Sequence, residues 1–349
     1  MEKASYRRLL LLTEGALGVF TSKTAASIIR YRREDVVAVL DSVAAGRPIE
    51  DILGFGEGIP IVAGVQEAMP LRPDALVIGI APSGGQLPER MRRHVLDAIR
   101  AGLCIISGLH FRLQADRELA ALAGAQGVRL WDVRDPGVTT RLSFGRARAM
   151  PVRRVLTIGT DCVVGKMATC LELRAAARRA GLDAAFVATG QTGIMIEGWG
   201  TSIDAVVSDF AAGATEALIE QVAERQICFI EGQGSIEHPA YSAVSLALLH
   251  GSCPDAMILC HRPGRQYHND RPDCPIAPIE EQIQLNEALV RPLHPSRVVG
   301  VSINTAGMSD EEAARHRDEI AGRTNLPVSD PIRYGVEPLL AAIRSALGL

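Results

Sequence analysis

The sequence predicts an α/β protein with two domains built on mostly parallel sheets. Three observations carry this expectation. Short apolar, β-branched-rich runs alternate with helical patterns along the whole chain. Several of those runs end in glycine-bearing turns. The length, 349 residues, suggests two domains at about 100–200 residues each.

In the first half the expected strands are residues 8–12, 36–41, 60–61, 75–80, 104–107 and 128–132, with a helix over 89–101. In the second half they are 154–158, 184–188, 205–208, 227–231, 256–260 and 298–303, separated by helices over 166–180, 211–226, 279–290 and 310–322. The run 136–153, with Pro136, Gly137 and Pro151, has no clear periodicity. It reads as a linker between an N-terminal domain, 1–135, and a C-terminal domain, 154–349.

Composition narrows the function. The net charge is −3 and aromatics are 4% of residues, which offers neither an electrostatic footprint for nucleic acid nor a base-stacking surface. No apolar run approaches the ~18–20 residues of a membrane span. The seven cysteines are scattered, with no CxxC pair, so neither a disulfide framework nor a zinc site is expected and no metal ligand is assigned. A reduced, cytoplasmic protein fits this pattern. Of 37 basic residues only Lys3, Lys23 and Lys166 are lysines. Where arginine is so preferred, a retained lysine marks a place that needs a compact ammonium.

Lys166 stands in the strongest motif. The strand Val155–Ile158 runs into Gly159-Thr160-Asp161-Cys162-Val163-Val164-Gly165-Lys166-Met167-Ala168-Thr169 and opens a helix. In such a P-loop, backbone N–H groups and the helix N-terminus converge on an anion while the lysine bridges its outer oxygens. This form resembles the loop of dethiobiotin synthetase. Met167 replaces the usual Ser/Thr that holds Mg²⁺, which favours a phosphate ligand independent of the metal, such as coenzyme A, over a Mg-nucleotide.

Glu231, in Glu231-Gly-Gln-Gly234, ends the strand 227–230 and points where parallel strand ends converge, as an acid/base group or as a helix-capping carboxylate. The stretch 189–200 reads as a glycine-rich loop with Gln191, Thr192 and Glu197 as its polar reach. Asp209 is read as ending the strand 205–208, on the same rim, either as an acid/base group or as the N-cap of the helix that follows. Arg262 and Arg265 suit carboxylate or phosphate recognition, and His238 is a base candidate near neutral pH. The turn Gly79–Gly85 lacks the GxGxxG spacing, so substrate contact or packing is expected there rather than a cofactor.

Taken together, Lys23-Thr24, Gly159-Thr-Asp-Cys…Gly165-Lys166, Gly190-Gln-Thr-Gly193, Glu231-Gly-Gln-Gly234, His261-Arg-Pro-Gly-Arg265 and Asn304-Thr305 resemble a two-domain bacterial and archaeal family. That family has a Rossmann-like N-terminal domain and a P-loop NTPase-like C-terminal domain. Its assigned members are D-glutamate N-acetyltransferases working beside an epimerase-like protein. The resemblance implies acetyl transfer from acetyl-CoA to a small acidic D-amino acid by a homo-oligomer. Gly159, Thr160, Cys162, Gly165, Lys166, Met167 and Ala168 would hold the cofactor. Lys166, Glu231, Asp161 and His238 would be catalytic, and Gln191, Glu197, Asp209, Arg262 and Arg265 would contact substrate. An ATP-dependent ligase or kinase of the dethiobiotin synthetase type is the alternative.

Overall fold

The computed structural model describes residues 6–82, 84–137 and 139–349, so Lys3 and Ser83 lie outside the described residues. The chain divides into two compact units, Met1–Gly137 with Ile194–Ser202, and Val138–Gly193 with Ile203–Leu349.

The first unit runs β1 Leu9–Leu12, α1 Lys23–Tyr31, β2 Val36–Leu40, α2 Glu50–Leu53, β3 Ile61–Val62, α3 Val65–Ala68, β4 Ala75–Ile78, α4 Glu89–Arg100, β5 Cys104–Ser107, α5 Arg117–Gln126 and β6 Leu130–Asp132. Its strands form one sheet in the order β3-β2-β1-β4-β5-β6, with every pairing parallel. Four consecutive buried leucines make β1, as a strand covered on both faces requires. Leu10, Leu12, Ile78, Val95, Ile105 and Leu119 pack in one core.

The strand order reverses between β1 and β4, where α/β sheets usually open a ligand crevice. Here, among the described residues, several polar groups are engaged with one another. The Asp41 carboxylate, just past β2, accepts from Thr13 Oγ1 (2.9 Å) and from the N–H groups of Leu17, Val43 and Ala44 (3.2, 3.2 and 3.1 Å). The Ala25 N–H, in the first turn of α1, donates to the Gly79 carbonyl at 3.0 Å. Lys23 opens α1 and is exposed.

The second unit contains β7 Arg153–Gly159, α6 Lys166–Arg179, β8 Ala184–Val187, the first three residues of α7 Gln191–Glu197, α8 Ser208–Glu220, β9 Ile227–Ile230, α9 Ser242–Ser252, β10 Ala256–His261, β11 Tyr267–His268, β12 Arg271–Pro275, α10 Ile279–Val290, β13 Arg297–Ile303, α11 Asp310–Thr324, β14 Val328–Ser329 and α12 Glu337–Leu347. Its main sheet, β14-β13-β10-β7-β9-β8, is also parallel throughout. This puts β7 and β9 side by side, so the turns that follow them share one edge.

Part of the run 139–153 is fastened to α8. Glu216 is fully buried and accepts from the N–H groups of Phe144 (3.2 Å) and Arg146 (2.7 Å), from Ser143 Oγ (3.3 Å) and from Arg141 Nη2 (3.2 Å).

Two sequence expectations are corrected. Residues 205–208 are not a strand: Ile203–Ala205 is a 3-10 turn and Ser208 begins α8, which places Asp209 in that helix's first turn, exposed. Val207 is 66% exposed, so the short apolar run has no continuous face to bury in a sheet. The glycine-rich stretch after β8 is not a loop throughout, since Gln191–Glu197 is helical. A carboxylate at the start of that helix, described below, offsets the weak helix propensity of Gly193.

Among the described residues no helix is long and apolar enough to cross a membrane.

Candidate functional site

The site begins with the turn between β7 and α6. Gly165 has φ +103°, a conformation glycine adopts without strain, and from there the helix starts at Lys166. Lys166 Nζ donates to the carbonyls of Asp161 and Gly234, both at 2.8 Å. Its third N–H takes no partner among the described residues. The side chain is buried, and burial draws its pKa below the ordinary lysine value against the opposing fields of Cys162, Cys260, Asp161 and Glu231. A Cβ on Gly159 would fall 2.7 Å from Lys166 Nζ, so glycine there makes room for the ammonium.

Glu231 follows β9. Its Oε2 accepts from the N–H groups of Thr189 (3.1 Å) and Gly190 (3.0 Å), and Thr189 Oγ1 donates to its carbonyl at 2.6 Å. No bond to Oε1 is found among the described residues. Burial pushes the carboxyl up to about 7, against the two N–H bonds and the charge of Lys166. Three glycines shape this corner. A Cβ on Gly193 would lie 2.3 Å from Glu231 Oε2. One on Gly232 would lie 1.7 Å from the Thr157 carbonyl and 3.1 Å from Lys166 Cδ, and one on Gly190 would lie 3.2 Å from Glu231 Oε1. Gln191, buried at the start of α7, has no partner for Oε1 among the described residues.

Asp161 points away from the lysine. Its carboxylate accepts from Arg265 Nη1 (2.7 Å), the Asn269 N–H (2.8 Å) and His268 Nδ1 (3.2 Å). Burial alone would raise its pKa; the bonds from Asn269, Cys162, Arg265 and His268 outweigh that and hold it below the usual carboxylate range. Arg265 Nη1 also donates to the Cys162 carbonyl at 2.7 Å, so this arginine braces the turn. Arg262 donates to the Ala306 carbonyl at 3.4 Å and is half-buried. Thr160 Oγ1 bonds His261 Nδ1 at 3.0 Å, and burial lowers that imidazole to about 4.

His238 is buried, stacked 4.5 Å from Tyr241 and edge-on to His268 at 5.1 Å. Sequence reasoning missed His268, which lies in a two-residue strand with no apolar run to mark it. Asp161, His238 and His268 bring one donor atom each within 4.8 Å of one another. His238 Nδ1 accepts the Ala240 N–H at 3.1 Å, which puts the ring proton on Nε2. The three would hold a metal ion through that atom only after this bond was given up.

The hydroxyl of Thr169 cannot replace the one missing at Met167. It donates to the Gly165 carbonyl (3.0 Å) and bonds Ser302 Oγ (2.8 Å). Cys162, Met167 and Ala168 are half-buried along the turn. The second unit thus gathers Asp161, Lys166, Gln191, Glu231, His238 and both arginines near the strand ends. Glu197 lies in the segment that groups with the first unit.

A parallel-sheet unit with a lysine-bearing strand–turn–helix and a second, doubly wound unit define a Rossmann-like/P-loop two-domain protein. The chain belongs to the DUF1611 family: its Rossmann-like domain of unknown function matches residues 42–136 and its P-loop domain residues 141–340. A protein of Tritonibacter scottomollicae named D-glutamate N-acetyltransferase is 37% identical over 335 residues, 96% of this chain and 97% of that one. A protein of the same name from a Pseudoalteromonas species is 40% identical over 276 residues, 79% and 82% of the two chains. The crystal structure of a DUF1611 family protein from Anabaena variabilis superposes with a TM-score of 0.92 at 39% identity, covering 97% of this chain and 99% of that one.

Proposed function

We propose that this protein transfers an acetyl group from acetyl-CoA to the amine of D-glutamate. The observation that carries the chemistry is Glu231, a buried carboxyl poised at about 7 with one oxygen open beside Lys166. The relatives of the same name support the choice of reaction. Amide formation needs a neutral amine, and a base titrating near the working pH is suited to produce one. Glu231 Oε1 takes a proton from the ammonium. The amine nitrogen attacks the thioester carbonyl, the C–N bond forms and the C–S bond breaks. The second amine proton leaves with the thiolate as free thiol, and the first returns to solvent. The turn Gly159–Ala168 is the anion cradle of the site.

Asp161 is held by Arg265, Asn269 and His268, and burial lowers the pKa of His238, so Glu231 is the better base. Seven scattered cysteines with no CxxC pair support cytoplasmic placement.

The test is thiol release from acetyl-CoA across D- and L-amino acids, with and without Mg²⁺–ATP. Release that requires D-glutamate and no nucleotide is expected. Release of ADP in place of thiol would favour the ligase or kinase reading.

A further inference from the structure

We infer that the turn around Lys166 receives the α-carboxylate of the amino-acid substrate, and not the phosphates of the acyl donor. This rests on the acetyltransferase reading. It changes the occupant that the sequence pattern suggests.

Covalent geometry makes the first argument. A general base must lie within hydrogen-bond reach of the proton it takes. If Glu231 Oε1 meets the ammonium, the α-carboxylate is one carbon away and falls against whatever adjoins Glu231. Lys166 is the cation whose charge acts on Glu231. A Cβ on Gly232 would lie 3.1 Å from the lysine Cδ, and the ammonium donates to Gly234 at 2.8 Å, on the same turn as Glu231. The uncommitted N–H of Lys166 and the first turn of α6 then meet a single negative charge.

The donor's own shape makes the second argument. In acetyl-CoA the thioester stands at the far end of the pantetheine arm from the phosphates. With those phosphates at Lys166, the acyl carbonyl would be an arm's length from an amine held by Glu231. An extended donor would hold its carbonyl outside attack distance, and only a folded-back arm would bring the two together.

The charges of the turn make the third. A polyphosphate is normally held with Mg²⁺ and a hydroxyl after the lysine. Here Met167 follows the lysine, Thr169 is bonded to Gly165 and Ser302, and Arg265 is bonded to Asp161 and Cys162. One ammonium suits a monoanion.

The experiment measures acetyl-CoA and D-glutamate binding separately by calorimetry, with kinetics, on wild type, Lys166→Met and Lys166→Arg. D-glutamate with its α-carboxylate amidated serves as probe. Lys166→Met should weaken D-glutamate by about 30-fold or more, the scale of a lost charge-assisted bond, and leave acetyl-CoA within about twofold. The amidated probe should bind wild type as poorly as D-glutamate binds Lys166→Met, with no further loss when the two changes are combined. If Lys166→Met does not fold, Lys166→Arg carries the same split, raising KM for D-glutamate while acetyl-CoA affinity holds. Loss of acetyl-CoA affinity with D-glutamate unchanged would overturn the inference and leave the acetyltransferase reading standing. Absence of thiol release from wild type would remove that reading, and the inference with it.

Discussion

In the first unit the acid that follows β2, Asp41, takes hydrogen bonds from Thr13, Leu17, Val43 and Ala44, and both oxygens are engaged. In the second unit the acid that follows β9, Glu231, takes its two N–H bonds on Oε2 and keeps Oε1 open. The contrast extends to the helices. The first turn of α1 is met by the Gly79 carbonyl, while α6 opens on a lysine whose pKa is drawn down by burial. Both sheets are parallel and six-stranded. The same architecture therefore carries, among the described residues, an acid bonded through both oxygens in one unit and an acid bonded through one oxygen in the other, and the difference lies in which polar groups the local backbone satisfies.

The largest effect expected from breaking this comparison is at Glu231. Glu231→Gln should lower kcat by about 100–1,000-fold, the range of a lost general base, with acetyl-CoA affinity retained. In wild type, activity should rise with pH through about 7, as the carboxyl loses its proton; a rate profile unchanged by the substitution would show that another group is the base.

The same group makes a stability prediction of opposite sign. Its folded pKa is raised, so its contribution is present below the unfolded value and lost as pH rises toward about 7. Thermal melts should show Glu231→Gln gaining about 1–3 kcal/mol on wild type at pH 8 relative to pH 4.

Gly232→Ala would force a methyl onto the Thr157 carbonyl and should cost about 3 kcal/mol in denaturant titrations. Asp161→Asn should cost about 2 kcal/mol at neutral pH, since Arg265 and the Asn269 N–H lose a charged acceptor. Because the Asp161 pKa is depressed, wild type should lose this advantage as pH falls through the acid range, and the two melting curves should converge there. The smallest effect belongs to the first unit. Asp41→Asn should destabilise by about 1–2 kcal/mol, and titration with a nicotinamide dinucleotide should show no binding to either form.

How much of this was legible depends on distance along the chain. The turn at Lys166 was readable because strand, glycine, lysine and helix are contiguous. The partnership of Asp161 with His268 was not, for the two are 107 residues apart and β11 is only two residues long. Arg265 was visible as a rim guanidinium, but its bond to Asp161, across 104 residues, was not. The glycines of 189–200 suggested a loop, whereas Gly193 sits in a helix whose entry is bonded by a carboxylate from a different strand, and that carboxylate leaves no room for a Cβ there. Periodicity reports what a segment prefers by itself. It is silent about which distant group arrives to cap or crowd it.

The clasp of Arg141, Ser143, Phe144 and Arg146 on Glu216 bears on how the protein can be divided. A fragment started at Arg153, where β7 begins, would leave Glu216 of α8 without the donors that now satisfy it. An autonomous C-terminal half must reach back at least to Arg141 to be born neutralised.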